Sequence, residues 1–148
     1  MSSLPFYIAA QVFFALGAGF ALWKGNLGER LAAIVVVTNM VIGLSGQWLF
    51  GLGHVEIIRF CNDGLAAAAL LVITMRYGAF WMGGVMLFYA AQFSLHAFYL
   101  VTDRPQDRLY AIVNNVDWYG VIWALIIGTA VAWRHRARAA SRALQTAP

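Results

Sequence analysis

The sequence predicts an all-α membrane protein, a five-transmembrane-helix bundle with its N-terminus outside and its C-terminus in the cytoplasm. Three observations predict it. Hydrophobic residues make up 62% of the chain and charged ones 11%, against about half and about a quarter in soluble proteins. Four apolar runs reach the length of about 20 residues that a bilayer crossing needs. The basic residues also fall unevenly between alternate loops, as the positive-inside rule requires.

The first run, 4–23, has no basic residues before it and exceeds a signal-peptide core, so it is expected to stay as helix one. Gly25 to Gly28 mark a turn, and 31–50 form the second span. Gly51 to Gly53 signal the next turn. The third element is the difficult one, because the apolar stretch from Gly64 to Met75 is too short to cross alone. A full span over 55–75 must carry Glu56, Arg59, Asn62 and Asp63 into the membrane; the alternative is a re-entrant or interfacial piece. Tyr77 and Gly78 turn the chain into span four, 79–102. Asp103 to Arg108, with Pro105, leads into span five, 109–133, and residues 134–148 form a basic cytoplasmic tail.

Five crossings place Lys24, Arg30, Arg76 and the tail residues Arg134, Arg136, Arg138 and Arg142 on one side. Arg59, Arg104 and Arg108 then lie on the other. Ten Lys and Arg against six Asp and Glu would suggest a nucleic-acid partner in a soluble protein. Here the clustered tail fits an anionic-lipid surface, so membrane lipids are the expected partners and nucleic acid is not. A membrane-protein partner or a second copy is a further expectation. Small residues at Gly17, Ala18 and Gly19, at Gly43 and Gly46, at Gly83 and Gly84, and at Ala124 and Gly128 read as helix-packing positions. Trp23, Trp48, Trp81, Trp118 and Trp133 read as an interfacial belt.

Polar residues inside the spans recur at helical spacing. Glu56, Arg59 and Asp63 form one stripe, Tyr89, Gln92, His96 and Tyr99 a second, and Tyr110, Asn114 and Asp117 a third. Counting about 1.5 Å per residue puts Asp63 and Asp117 each about 12 Å inside the outer ends of their helices. Gln11 and Gln47 also fall in the outer half, whereas the cytoplasmic half holds Thr38, Asn39 and Thr74. Charge facing lipid near the bilayer centre costs on the order of 3 kcal/mol, so the stripes are expected to turn inward and form a pocket open to the outside. Arg59 is expected to pair with Glu56 and Asp63 on its own helix. Asp117 is expected to need a proton, His96 or Arg59.

The candidate ligand-binding set is therefore Arg59, Asp63, Tyr89, Gln92, His96, Tyr110, Asn114 and Asp117. Hydrogen-bonding glue between helices is the competing reading, since such contacts are worth about 0.6 to 2 kcal/mol each. The single cysteine, Cys61, excludes a disulfide framework and a cysteine-built metal site. His54 and His96 are weak evidence for haem ligation, and Ser45 and Ser94 carry no hydrolase motif, so neither a metal nor a catalytic residue is assigned. No cofactor is identified. The expected function is non-enzymatic binding of a small amphipathic ligand or ion. The alternatives are an accessory subunit or assembly factor of a larger membrane complex, and a proton-coupled transporter or channel.

The stretch from Gly64 to Trp133 resembles small uncharacterised polytopic inner-membrane proteins of alphaproteobacteria. The resemblance lies in the turn with Arg76, Tyr77, Phe80 and Trp81, in a helix with one histidine, His96, and in the aliphatic end from Leu125 to Thr129. It implies a bacterial inner membrane and no activity. Phe88 to Gln92 is also similar to a segment of the tryptophan-rich sensory, or translocator, proteins, which bind tetrapyrroles or sterols. The first loop, Lys24 to Arg30, lacks the Pro and Trp of that family's ligand-contacting region.

Overall fold

The computed structural model describes residues 4–50, 55–78 and 80–145, with side chains for 8–46, 57–78 and 81–145. Five helices follow in order: α1 (Leu4–Lys24), α2 (Leu27–Phe50), α3 (Val55–Tyr77), α4 (Phe80–Thr102) and α5 (Arg108–Gln145). Each packs on its neighbours in sequence, and α5 returns to α1, so the bundle closes on itself. Four of the helices are long and apolar enough to cross a bilayer, whereas the described apolar part of α1, Ile8–Lys24, is shorter. This is a helical membrane bundle. Gly51 to Gly53 and His54 lie outside the described residues, as do the side chains of Gln47, Trp48, Glu56 and Phe80.

The helix ends carry local signals that fix their bounds. Helix α2 begins at Leu27 and not at 31, because Asn26 and Glu29 form a reciprocal capping box. The Asn26 amide donates to Glu29 Oε2 at 2.7 Å, and the Glu29 amide donates to Asn26 Oδ1 at 3.1 Å. Gly28 and Arg30 therefore belong to the helix. Helix α3 ends at Gly78, whose φ of 62° is the left-handed conformation that a glycine adopts without strain; its amide donates to Thr74 O at 2.9 Å. Asp103 ends α4 in the same conformation with φ 50°, and the Arg104 amide reaches back to Tyr99 O at 3.3 Å. Asp107 caps α5, accepting from the Tyr110 amide at 3.0 Å and from Tyr99 Oη at 2.6 Å. Those two donors, the tyrosine hydroxyl foremost, hold the Asp107 carboxyl below the usual carboxylate range.

The basic tail does not leave the bundle at Trp133. Helix α5 continues unbroken to Gln145, and Arg136 turns back onto the α1–α2 turn. Its guanidinium donates through Nη1 and Nη2 to both oxygens of Glu29, each at 3.0 Å, and through Nη2 to Lys24 O at 2.8 Å. Glu29 is 1% exposed, and this bidentate pair closes one end of the ring, hereafter the basic end. Lys24 Nζ lies 3.8 Å from the centre of the Trp23 ring and 5.2 Å from that of Trp133.

Above the basic end lies an apolar layer that includes Ala21, Ala33, Val36, Leu70, Met82, Val85, Ile122 and Leu125, all buried. Helices α4 and α5 approach closely because Gly120 seats the Phe88 ring and Gly128 seats the Trp81 indole; a Cβ at either would collide with the ring. Gly17 receives Ile122 and Ile126 in the same way. The expected packing roles thus hold at Gly17 and Gly128. A Cβ at Gly19, Gly43, Gly83 or Gly84 would meet no neighbour, so these four are not contact positions within the bundle.

Candidate functional site

The polar residues of α2, α3, α4 and α5 meet in the half of the bundle away from the basic end. The centre of the network is Asn39 on α2. Asn39 Nδ2 donates to Asp63 Oδ1 at 2.9 Å, and Asn39 Oδ1 accepts from Tyr89 Oη at 3.3 Å. The Asn39 backbone carbonyl accepts from Asn62 Nδ2 at 2.8 Å. The other oxygen of Asp63 lies 2.7 Å from His96 Nδ1. That approach is off the line of a hydrogen bond. One carboxylate thus ties three helices together. Asp63 and His96 are 3% and 4% exposed.

Around this centre, Gln92 Nε2 donates to Asn114 Oδ1 at 3.1 Å, joining α4 to α5. The His96 ring stacks on Tyr110 with centroids 5.6 Å apart, and Tyr110 meets Tyr99 edge-on at 5.0 Å. Arg59 Nη1 donates to Tyr110 Oη at 3.3 Å. A cleft of about 130 Å³ opens between these groups, lined on its polar side by Asn39, Arg59, Asn62, Asp63, Gln92, His96 and Asn114. Trp118 lines the cleft as well and stacks on Phe14 at 5.3 Å, so it is a wall residue and not part of an interfacial belt.

Of the sequence-predicted residues, Arg59, Asp63, Gln92, His96 and Asn114 share the cleft wall. Tyr89 lies beneath them, lining a smaller recess of about 30 Å³ that shares Asn39, Met40, Gln92 and Trp118. Tyr110 reaches the cleft through Arg59. Asp117 is buried at 5% exposure but does not line the cleft, and its Oδ2 has no hydrogen-bond partner among the described residues.

One expected pairing is corrected. Arg59 makes no ion pair with Asp63, because the Asp63 carboxylate turns toward Asn39 and His96 on the neighbouring helices. His96 lies against Asp63, since α3 and α4 bring those two side chains face to face at one level, and Asp117 is within its electrostatic reach. Asn39, expected among the few polar residues of the cytoplasmic half, stands near the middle of α2, about 16 Å from its far end, and meets both Asp63 and Tyr89. Asn39 and Asn62 are the site residues missing from the sequence-predicted set. The signal that could have found Asn39 is its isolation, since a lone amide in an apolar run must be satisfied by a facing helix.

Ser45 and Ser94 donate to carbonyls of their own helices, at Val41 and Ala90. Among the described residues no group of three or more His, Cys, Asp or Glu side chains could hold a metal ion. The arrangement offers donors and one cation around a single committed carboxylate. It suits recognition by hydrogen bonds and charge, with the His96 Nε2 buried and unpartnered.

Fold and site together define a helical membrane bundle with a polar cleft among four of its helices. No protein-family model matches the chain, and neither a curated protein nor a solved structure is similar to it at a significant level.

Proposed function

We propose that this chain is a five-crossing protein of a bacterial inner membrane, N-terminus outside and C-terminus cytoplasmic, whose polar cleft binds a small amphipathic ligand without catalysing a reaction. The observation that carries the reading is the concentration of Arg59, Asp63, His96, Asn62 and Asn114 on one cleft wall, in contact with a space of about 130 Å³. Ionisable groups within membrane helices usually mark functional positions, and these face the bundle interior.

The orientation is supported by charge. The Lys24 turn, Arg76 and the tail share the basic end, and the rule that cytoplasmic loops are rich in Lys and Arg supports that end as the inner one. Arg134 and Arg138 project outward beyond it and suit contact with anionic lipid headgroups. The apolar layer of Val36, Leu70, Val85, Ile122 and Leu125 between cleft and basic end supports binding over conduction, which would need a continuous polar path.

Native mass spectrometry of the protein released gently from its own membrane tests the proposal. A retained small mass that disappears in Asn114→Leu, with the fold intact, is the expected result. A stoichiometric protein partner with no small mass would instead make the chain an accessory subunit.

A further inference from the structure

Asn39 and Asn62 also line a second, apolar groove of about 270 Å³ on the outer surface of α2 and α3. Its remaining lining is Ile34, Val35, Thr38, Ile42, Leu65, Ala66 and Ala69, and Ile34, Ile42 and Leu65 are exposed to the surroundings of the bundle. From Asn39 to Ile34 and from Asn62 to Ala69 the groove runs toward the basic end, about 7 to 10 Å along each helix. The cleft lies on the opposite side of the two asparagines, toward Gly43, Leu44 and Arg59. One polar and one apolar cavity therefore adjoin at Asn39 and Asn62. The polar part is nearer the end of the bundle and the apolar part nearer its middle. That is the orientation of an amphipath in one leaflet of a bilayer.

The head end of this path carries a cation that no described residue neutralises. Arg59 donates one hydrogen bond, at 3.3 Å, to a neutral phenol, and makes no ion pair among the described residues. A guanidinium has five donors in a planar fork that matches a carboxylate or a phosphate in bidentate fashion. Asp63, one turn along α3, is already held by Asn39 and His96, and the side chain of Glu56 lies outside the described residues.

We propose that the site takes a single-chain anionic amphipath, its charged head on Arg59 in the cleft and its alkyl chain in the α2–α3 groove, entering sideways from the bilayer. The proposal rests on the reading of the cleft as a binding site and adds the charge of the head, the place of the chain and the route. Arg59 selects the head, while Ala66 and Ala69 leave the room that the chain occupies.

The test is equilibrium binding to the full-length protein in nanodiscs at matched free concentrations of decanoate, decyltrimethylammonium, acetate and inorganic phosphate. Decanoate is expected to bind at least tenfold more tightly than the other three. Arg59→Gln should remove the preference for decanoate over the cationic amphipath, and Arg59→Lys should restore most of it. Ala69→Phe, at the lipid-facing rim, should weaken decanoate at least tenfold. Equal binding of acetate or phosphate, with Ala69→Phe silent, would leave the cleft as a binding site and overturn the place given to the chain. Equal or tighter binding of decyltrimethylammonium would overturn the anionic head. A retained two-chain phospholipid that decanoate does not displace would overturn the single-chain assignment. Absence of binding by all four probes, with the cleft unreactive to polar reagents, would sink both the proposal and the reading beneath it.

Discussion

Removing the Arg136 guanidinium should destabilise the bundle far more than removing the charge of its partner. Arg136 makes three charge-assisted hydrogen bonds, two to Glu29 and one to Lys24 O. The side chains differ in surroundings, with Arg136 38% exposed and Glu29 1%. Arg136→Met preserves the aliphatic packing but leaves a buried carboxylate whose one remaining contact shown is the Asn26 amide. Breaking a buried pair from one side costs about 3 to 5 kcal/mol, and the partial exposure of Arg136 places this case near the lower value, about 3 kcal/mol. Glu29→Gln removes charge from the buried side, keeps a hydrogen-bond acceptor for the cap, and leaves a guanidinium that water can reach. Its cost should be nearer 1 kcal/mol. Reversible unfolding in mixed micelles, followed by far-UV circular dichroism against denaturing detergent, measures both, and the double variant gives the coupling. If Arg136→Met changes stability by less than about 0.5 kcal/mol, as an ordinary surface substitution would, the pairing that closes the ring is wrong.

Other outcomes follow from the helix ends and the packing. The carboxyl of Asp107 is held below its usual range by Tyr99 Oη and the Tyr110 amide, so its contribution to stability is complete above about pH 4 and fades as pH falls through the lowered value. Asp107→Asn, which keeps the cap, should flatten that acid dependence, and Asp107→Ala should weaken the start of α5 at every pH; melting curves between pH 2.5 and 7 separate the two. Gly120→Val drives a side chain into the Phe88 ring and should cost about 1 to 3 kcal/mol, read by the same unfolding titration. Asn39→Leu leaves Asp63 without its amide donor and the Tyr89 hydroxyl without its acceptor, and should cost about 1.5 to 3 kcal/mol. Arg134→Gln with Arg138→Gln should reduce the number of anionic lipids retained in native mass spectra while leaving the fold unchanged.

The apolar runs and the loop glycines made the order and number of helices legible, because a run of about 20 apolar residues admits few alternatives. Helix bounds were less so where charge interrupts the run. Glu29 and Arg30 read as loop until Asn26 is recognised as the cap that makes Glu29 its partner. The cleft was legible as stripes on α3, α4 and α5, since helical spacing alone puts Gln92 and His96, or Tyr110 and Asn114, on one face. Pairing across helices was not. Whether His96 meets Asp63 or Asp117 depends on how α4 slides against α3 and α5, which no local pattern encodes. Counting residues from helix ends left Asn39 out of the polar layer, because a residue at mid-helix falls on either side of a half-membrane boundary. The same limit hid Arg136, which bonds to a residue 107 positions earlier in the chain.

The central claim is that the polar layer is a water-accessible site and not sealed glue between helices. With Cys61 replaced by alanine, a cysteine placed at Asn114 and another at Ala66 can be exposed, in intact membranes, to a charged thiol reagent that does not enter lipid. Asn114 lines the cleft and Ala66 the apolar groove. The account predicts that Asn114→Cys reacts from the side opposite the basic end and that Ala66→Cys does not. An Asn114→Cys as inert as Ala66→Cys would contradict it and leave the polar residues as the cement of the bundle.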